Sequence, residues 1–375
     1  MLALEIAFWA SVALLVHTHV GYPLALWLLT RLRRSPAVRA PESEPAPVTL
    51  IVAAHDEEAV IERKVANALA MDYPRERLEL IVASDGSSDR TVELARRAGA
   101  DAVLDLERGG KVAAQNAAVA KAHGELLAFS DANAFWDPTA LRRLVAPFAD
   151  PEVGYVCGQV RFSADGATNE EGAYWRYEMA VRELESQLGG VTAGNGAIYA
   201  TRRDAYLVLD ASRSHDLSFP FELTKRGWRA LYAPDAVAEE RMVPTIEGEF
   251  ARKRRMMSGL WDIVLGDGML SPRGYGPLYA FEIYSHRGLR YASPLLHLVA
   301  LASNAALLGE GTVYRVTLAL QLALLLAAAL GPVVALRPFR LAYYYVTVTA
   351  SIALGLWDRI RGRVPRAWEK AEGTR

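Results

Sequence analysis

An almost unbroken apolar stretch over residues 6–29, interrupted mainly by His17 and His19, sets the first limit on what this chain can become. A helix of that length bridges a bilayer core of about 30 Å. A secretory signal would be shorter, would begin with basic residues and would end at a small-residue cleavage site. Here the basic residues come afterwards, at Arg31, Arg33, Arg34 and Arg39. The positive-inside tendency of membrane proteins then predicts an uncleaved anchor, N-terminus outside, with the chain after Arg31 in the cytoplasm.

Three more apolar stretches, residues 291–308, 316–336 and 341–357, lie toward the other end. The middle one is the strongest, with Gln321 as its polar member. The first carries His297 and Asn304, which suits packing against protein. The third is short for a full span. Three crossings would leave Arg359, Arg361, Arg363 and Arg366 outside, so either one segment lies in the interface or the charge rule fails. Apolar residues make up 52% of the chain, and their excess sits in these end segments. With 42 basic against 43 acidic residues, the balance gives no reason to expect nucleic acid as a partner. Cys157 is the only cysteine, which excludes an intrachain disulfide and a cysteine-based zinc site and reads as a small core residue.

The organisation that follows is an anchor over 1–30, a Pro- and Glu-rich linker over 31–47 and a soluble-looking domain over 48–269. A surface segment over 270–290, C-terminal membrane helices over 291–357 and a basic tail over 358–375 complete it. Tyr279, Phe281, Tyr284 and Tyr291 beside His286, Arg287 and Arg290 suit a membrane-surface segment.

Within the domain, short apolar runs at residues 48–54, 78–83, 102–106 and 125–129 read as strands. Helical spacing at residues 60–69, 91–98 and 111–122 separates them. Such alternation implies an α/β fold, a mostly parallel sheet with helices on both faces, whose ligands sit beyond the carboxyl ends of the strands. Asp56-Glu57-Glu58, Asp85 and Asp131 all fall at such ends. Three carboxylate sites along one edge repel each other unless a cation or donor groups occupy the space, which suggests a nucleotide with a divalent metal. Asp89 reads as a helix N-cap instead.

On these residues the chain resembles the membrane-bound family 2 inverting glycosyltransferases with a GT-A fold, of the type of chitin-oligosaccharide and hyaluronan synthases, over residues 48–264. The resemblance implies that Glu57 and Asp85 hold the nucleoside, with Gly86 letting the chain turn sharply. Lys111, after Gly109-Gly110, lies near the nucleotide. Ser130-Asp131-Ala132-Asn133 takes the place of the metal-binding Asp-x-Asp, so Asp131 and Asn133 are the expected ligands of Mg²⁺ or Mn²⁺. Asn133 contributes no charge, and weaker metal affinity is the expected cost. Gly194-Asn-Gly196 borders the acceptor, with Trp175 nearby as a stacking candidate.

Ser214-His215-Asp216 matches the catalytic motif and makes Asp216 the base, with His215 where many relatives carry an acid. Arg252 and Arg255 match the diphosphate-gripping motif, and Met256 stands where processive relatives carry Trp. The resemblance implies a hexosyl- or N-acetylhexosaminyltransferase at the cell membrane, catalytic domain cytoplasmic, serving cell-envelope or exopolysaccharide synthesis. Its donor would be UDP- or GDP-linked and its acceptor lipid-linked or a growing saccharide, with membrane lipids around it. A processive polysaccharide synthase and an inactive scaffold or sugar-nucleotide sensor are the alternatives.

Overall fold

The N-terminal apolar run forms Leu2–Val16 (α1) and Tyr22–Leu32 (α2), joined through a π-helical turn at His17–Gly21. After it comes Val48–Ala54 (β1), in which all seven residues are buried, a pattern that suits only an interior strand covered on both faces. The computed structural model describes residues 1–32, 45–163, 169–241, 246–334 and 336–362, and β1 lies inside an eight-stranded sheet. Leu78–Asp85 (β2) and Ala102–Leu106 (β3) continue it in parallel on one side, and Leu126–Asp131 (β4) pairs in parallel on the other. Ile61–Leu69 (α3), Thr91–Arg97 (α4) and Lys111–Val119 (α5) are the crossovers.

Alternate strand residues point to opposite faces. Leu50, Val52, Leu80 and Val82 cluster with Ile61 and Val65 of α3, Leu94 of α4 and Leu141 of Ala140–Val145 (α6). Ile51, Ile81, Leu127 and Phe129 cluster instead with Ala114 and Ala118 of α5. Register then fixes the site. Ala54 pairs with Ser84 and Ala53 with Asp131, so the ends of β1, β2 and β4 come level.

Beyond β4 the direction reverses. Ile198–Arg202 (β7) runs antiparallel to β4, and Val153–Ser163 (β6) antiparallel to β7. Arg229–Arg241 (β8) is parallel to β6, and Phe135–Trp136 (β5) closes the edge antiparallel to β8. The strand–helix alternation in the sequence therefore describes the parallel half, and the mixed half comes from chain that lacks it.

Asn169–Leu188 (α7), His215–Lys225 (α8) and Ile246–Gly266 (α9) flank the mixed half. Pro277–Glu282 (α10) passes through a second π-helical turn, Ile283–Gly288, into Leu289–Ala306 (α11). Thr312–Leu330 (α12) and Arg337–Ile360 (α13) follow. Leu2–Leu32 and Thr312–Leu330 are long and apolar enough to cross a membrane. Polar groups inside the end segments meet one another. The Tyr345 hydroxyl lies 3.1 Å from His19 Nε2 and 2.7 Å from His297 Nε2, and Asn304 is fully buried against Thr317 and Gln321.

The surface role expected for residues 270–290 is only partly met. Tyr284 is exposed, but Tyr279, His286, Arg287 and Tyr291 are buried. Glu178 and Glu185 of α7 face the π-helical turn and hold His286 and Arg290 in the protein, while Arg287 Nε donates to Thr192 Oγ1 at 2.9 Å.

On α3, Lys64 Nζ donates to the Ala134 carbonyl at 2.5 Å, and Asn67 brackets Trp136 with two hydrogen bonds of 2.9 Å to its backbone N–H and carbonyl. One helix face thereby clasps the chain just after Asp131. Asn67→Ala is expected to lower stability by about 1–3 kcal/mol, since two buried backbone groups lose their partners. A urea midpoint shift checks this.

Candidate active site

Asp85 is the last residue of β2 and is buried. Its Oδ1 accepts the backbone N–H groups of Gly109 at 2.7 Å and Gly110 at 2.9 Å, and Arg108 Nη1 lies 3.1 Å from Oδ2. The turn that makes this possible is Gly86, at φ +62°, where an added Cβ would stand 2.9 Å from the Arg108 backbone nitrogen. Glu57 is buried next to this site, its N–H donating to Thr91 Oγ1 at 2.7 Å. Asp89 accepts the Thr91 N–H at 3.0 Å and the Glu58 N–H at 3.1 Å; the N-cap itself falls one residue later than expected, on Arg90, and Asp89 ties the helix start to the acidic loop.

Asp131 ends β4 and pairs through Oδ1 with Lys111 Nζ from the first turn of α5. The same ammonium donates to the Gly196 carbonyl at 3.2 Å. Asn133 Nδ2 donates to Glu240 Oε1 at 3.1 Å, so the amide that replaces a second carboxylate is turned toward β8. Among the described residues no group of three His, Cys, Asp or Glu side chains could hold a metal alone. The oxygen donors at Asp131 and Asn133 suit a hard divalent cation in kind.

Behind this loop lies Lys64, wholly buried. Burial pushes its ammonium down to about 7, with the Asp131 charge acting the other way.

Residues 192–196 link this half to Asp216. The Gly194 N–H donates to the Asp216 carbonyl at 2.7 Å, and its carbonyl accepts Arg182 Nη2 at 2.9 Å. A Cβ at Gly194 would fall 2.0 Å from the Tyr155 hydroxyl, so that position has room for glycine alone. Asp216 is half-buried in the first turn of α8. The preceding His215 turns into an aromatic cage. It stacks on Phe219 at 4.4 Å and meets Phe129, Tyr199 and Tyr206 edge-on, with Nδ1 2.6 Å from the Tyr199 hydroxyl. Burial, helped by the Lys111 charge, pushes its imidazole down to about 3, so His215 stands beside Asp216 as a neutral group.

Of the residues singled out in the sequence, Glu57, Asp85, Lys111, Asp131, Asn133, Gly194, Gly196 and Asp216 come together around the carboxyl edge of the sheet. Trp175 departs from its expected role. Its indole N–H is taken by the Val160 carbonyl at 2.9 Å, and its ring packs edge-on against Phe162 at 5.3 Å, so it is a core residue between α7 and β6. The Arg252 and Arg255 side chains lie outside the described residues. Arg108, Lys64 and Arg182 were not anticipated. Lys64 had a signal, because it shares an otherwise apolar helix face with Ile61, Val65 and Ala68.

Comparison with known proteins agrees with this architecture. Residues 49–209 match the profile of glycosyl transferase family 2. The β-monoglucosyldiacylglycerol synthase of Synechocystis sp. is 29% identical, over 68% of this chain and 59% of its own length. The poly-β-1,6-N-acetyl-D-glucosamine synthase of Staphylococcus aureus is 26% identical, over 63% of this chain and 59% of its own. The chain thus spans about three-fifths of the length of these relatives. A mannosyltransferase from Pyrobaculum calidifontis, solved with GDP-Man and Mn²⁺, superposes with a TM-score of 0.72 at 25% identity. It covers 95% of this chain and 99% of its own.

Lys64 carries a pH signature. Its folded value lies below the ordinary lysine range, so between about pH 7 and about pH 10.4 the unfolded chain holds a proton that the folded one has lost. Stability on its account rises with pH across that window. Lys64→Met is expected to flatten the rise and to gain most at the acid end, as read from urea midpoints between pH 6.5 and pH 9.5.

Proposed function

We propose that this chain, which carries a family 2 glycosyltransferase domain over residues 49–209, is an inverting glycosyltransferase that moves a hexosyl or N-acetylhexosaminyl group from a nucleotide-sugar to a lipid-linked or saccharide acceptor. The observation that carries the reading is the continuous path from Asp131 through Lys111 to Gly196, and from Gly194 to Asp216. One short loop thereby ties the donor side of the cleft to the base.

Asp216 takes the proton of the acceptor hydroxyl as that oxygen bonds to the anomeric carbon. The bond to the diphosphate breaks on the opposite face, and its electron pair leaves with the nucleoside diphosphate. Glu57 and Asp85 receive the nucleoside, Asp85 oriented by the Gly109 and Gly110 N–H groups. Lys111 faces the diphosphate as a fixed cation, and neutral His215 leaves Asp216 free of a charged neighbour in sequence. A Mg²⁺ or Mn²⁺ ion held by Asp131 and Asn133 would supply neutralisation of the charge on the leaving group. Arg252 and Arg255 are the candidate diphosphate grips. The whole-length likeness to the mannosyltransferase makes GDP-mannose the first donor to test.

Membrane attachment rests on where the large apolar side chains are exposed. Ile6, Trp9, Val20, Leu24, Leu320, Leu322 and Leu326 all lie outward on the two apolar helices. α13 returns to the catalytic domain. Arg254 of α9 grips Asp358 with contacts of 2.6 and 2.7 Å, Arg359 reaches Asp262 at 2.7 Å, and Trp261 Nε1 donates to the Ile352 carbonyl at 3.0 Å. The end of α12 meets α13 at Phe339 and Tyr343, close to the level of His19. These contacts support a return of α13 to the domain side, with Gly309 between α11 and α12 on the other, which keeps the C-terminal arginines beside the domain in accord with the charge rule.

Two outcomes check the reading. Asp216→Asn should lower turnover by about 10²–10⁴-fold while nucleotide with Mn²⁺ still raises the melting temperature. A wild-type protein in detergent that neither hydrolyses nor transfers from a panel of UDP-, GDP- and dTDP-sugars would end it. For the topology, Arg361→Cys should react with an impermeant maleimide from the domain side and Gly309→Cys from the other; the reverse pattern rejects it.

A further inference from the structure

Residues 192–196 are held from several directions, and one of them is the N-terminal helix. Glu185 of α7 is fully buried. A buried carboxylate is costly unless its lone pairs are used, and here they are. Oε1 accepts the Tyr22 hydroxyl from α2 and His286 Nδ1 from the π-helical turn, each at 2.6 Å, and Oε2 accepts the Thr192 N–H at 3.0 Å. The Thr192 hydroxyl donates to the same carboxylate while accepting Arg287 Nε at 2.9 Å. Burial would raise the Glu185 carboxyl, but His286 and Arg287 bring it down to about 2, so it is an anion at every working pH. Two residues further on, Gly194 holds the Asp216 carbonyl, and one helical turn before Glu185 on α7, Arg182 holds the Gly194 carbonyl.

We propose that Glu185 is a positioning residue for the transfer step, joining the N-terminal helix through Tyr22, and the π-helical turn through His286, to the loop that sets Asp216. The proposal rests on the glycosyl-transfer reading above and names what sets that base. Its physical basis is that Tyr22 and His286 come from segments far apart in sequence, yet share one carboxylate oxygen. The other oxygen of that carboxylate fixes the loop backbone. Any shift of the N-terminal helix against α7 is therefore transmitted to Thr192 and on to Gly194. Misplacing a reacting group by even a fraction of an ångström lowers the rate of the chemical step while leaving donor contacts on β2, β4 and α5 in place.

Tyr22 also packs its ring against Phe281 at 5.8 Å and His286 at 5.5 Å, so Tyr22→Phe keeps the packing and removes only the O–H donor. In the full-length protein in nanodiscs, Tyr22→Phe is expected to lower kcat about tenfold, with the nucleotide-sugar KM changed less than twofold. Glu185→Gln should do the same. The double variant should be no slower than the worse single one, because both break one link. Tyr314→Phe, a buried tyrosine that packs on Phe8 away from this loop, is the control and should match wild type. Amide hydrogen exchange at residues 192–196 should rise in Tyr22→Phe and stay unchanged in Tyr314→Phe. That measurement needs no turnover, so it separates failure of this link from failure of the transfer reading. Wild-type exchange in the loop with Tyr22→Phe overturns the proposal. So does wild-type kcat, or a loss that falls on donor KM and melting temperature instead of kcat.

Discussion

Like charges gathered at one edge of a sheet are the constraint on which the rest of this structure depends. The register of β1, β2 and β4 brings Glu57, Asp85 and Asp131 level, and carboxylates so placed must be separated or neutralised. The fold does this by giving each its own donors. Asp85 receives the two N–H groups that open α5 and the Arg108 guanidinium. Asp131 receives Lys111, and Lys64 lies behind it in the core. The edge therefore presents oriented carboxylates and an ammonium instead of an undirected acidic patch.

The second half of the sheet brings Asp216 to that edge. β7 runs antiparallel to β4, so the loop that precedes it lies beside the end of β4. Tyr155, from the adjoining β6, fills the space that any side chain at Gly194 would need. The glycines of this loop are thus explained by close approach on one side and by Lys111 on the other. Trp175, which sequence alone offers as a sugar-stacking residue, is consumed by the same packing: its indole N–H caps a β6 carbonyl and its ring covers Phe162.

The end segments are tied into the rest of the fold. Their polar residues find each other or the domain: His17 meets Ser285, His19 and His297 share Tyr345, and Tyr22 meets Glu185. Each pairing removes an unsatisfied group from an apolar setting, and together they fix how the helices sit on α7 and α9. The C-terminal helix adds ion pairs through Asp358 and Arg359, and Asp262, which Arg359 reaches, also lies 3.7 Å from Arg213, three residues before Asp216.

Local information sufficed for what depends on periodicity and on element ends. The four parallel strands, their crossover helices, the apolar end segments and the places of Asp85, Asp131 and Asp216 could all be read from residue spacing or from motif order. Hydrophobic alternation and turn chemistry are properties of neighbours along the chain. What tertiary structure alone decided involves partners distant in sequence. The antiparallel pairing of β7 with β4, the loss of Trp175 to the core and the capture of His286 and Arg290 by Glu178 and Glu185 are of this kind. So is the use of Lys64, which reads as one odd residue on an apolar face until the loop from Ala134 to Trp136 is laid across it. Such partners are chosen by which surfaces meet when the sheet closes, and no local pattern records that choice.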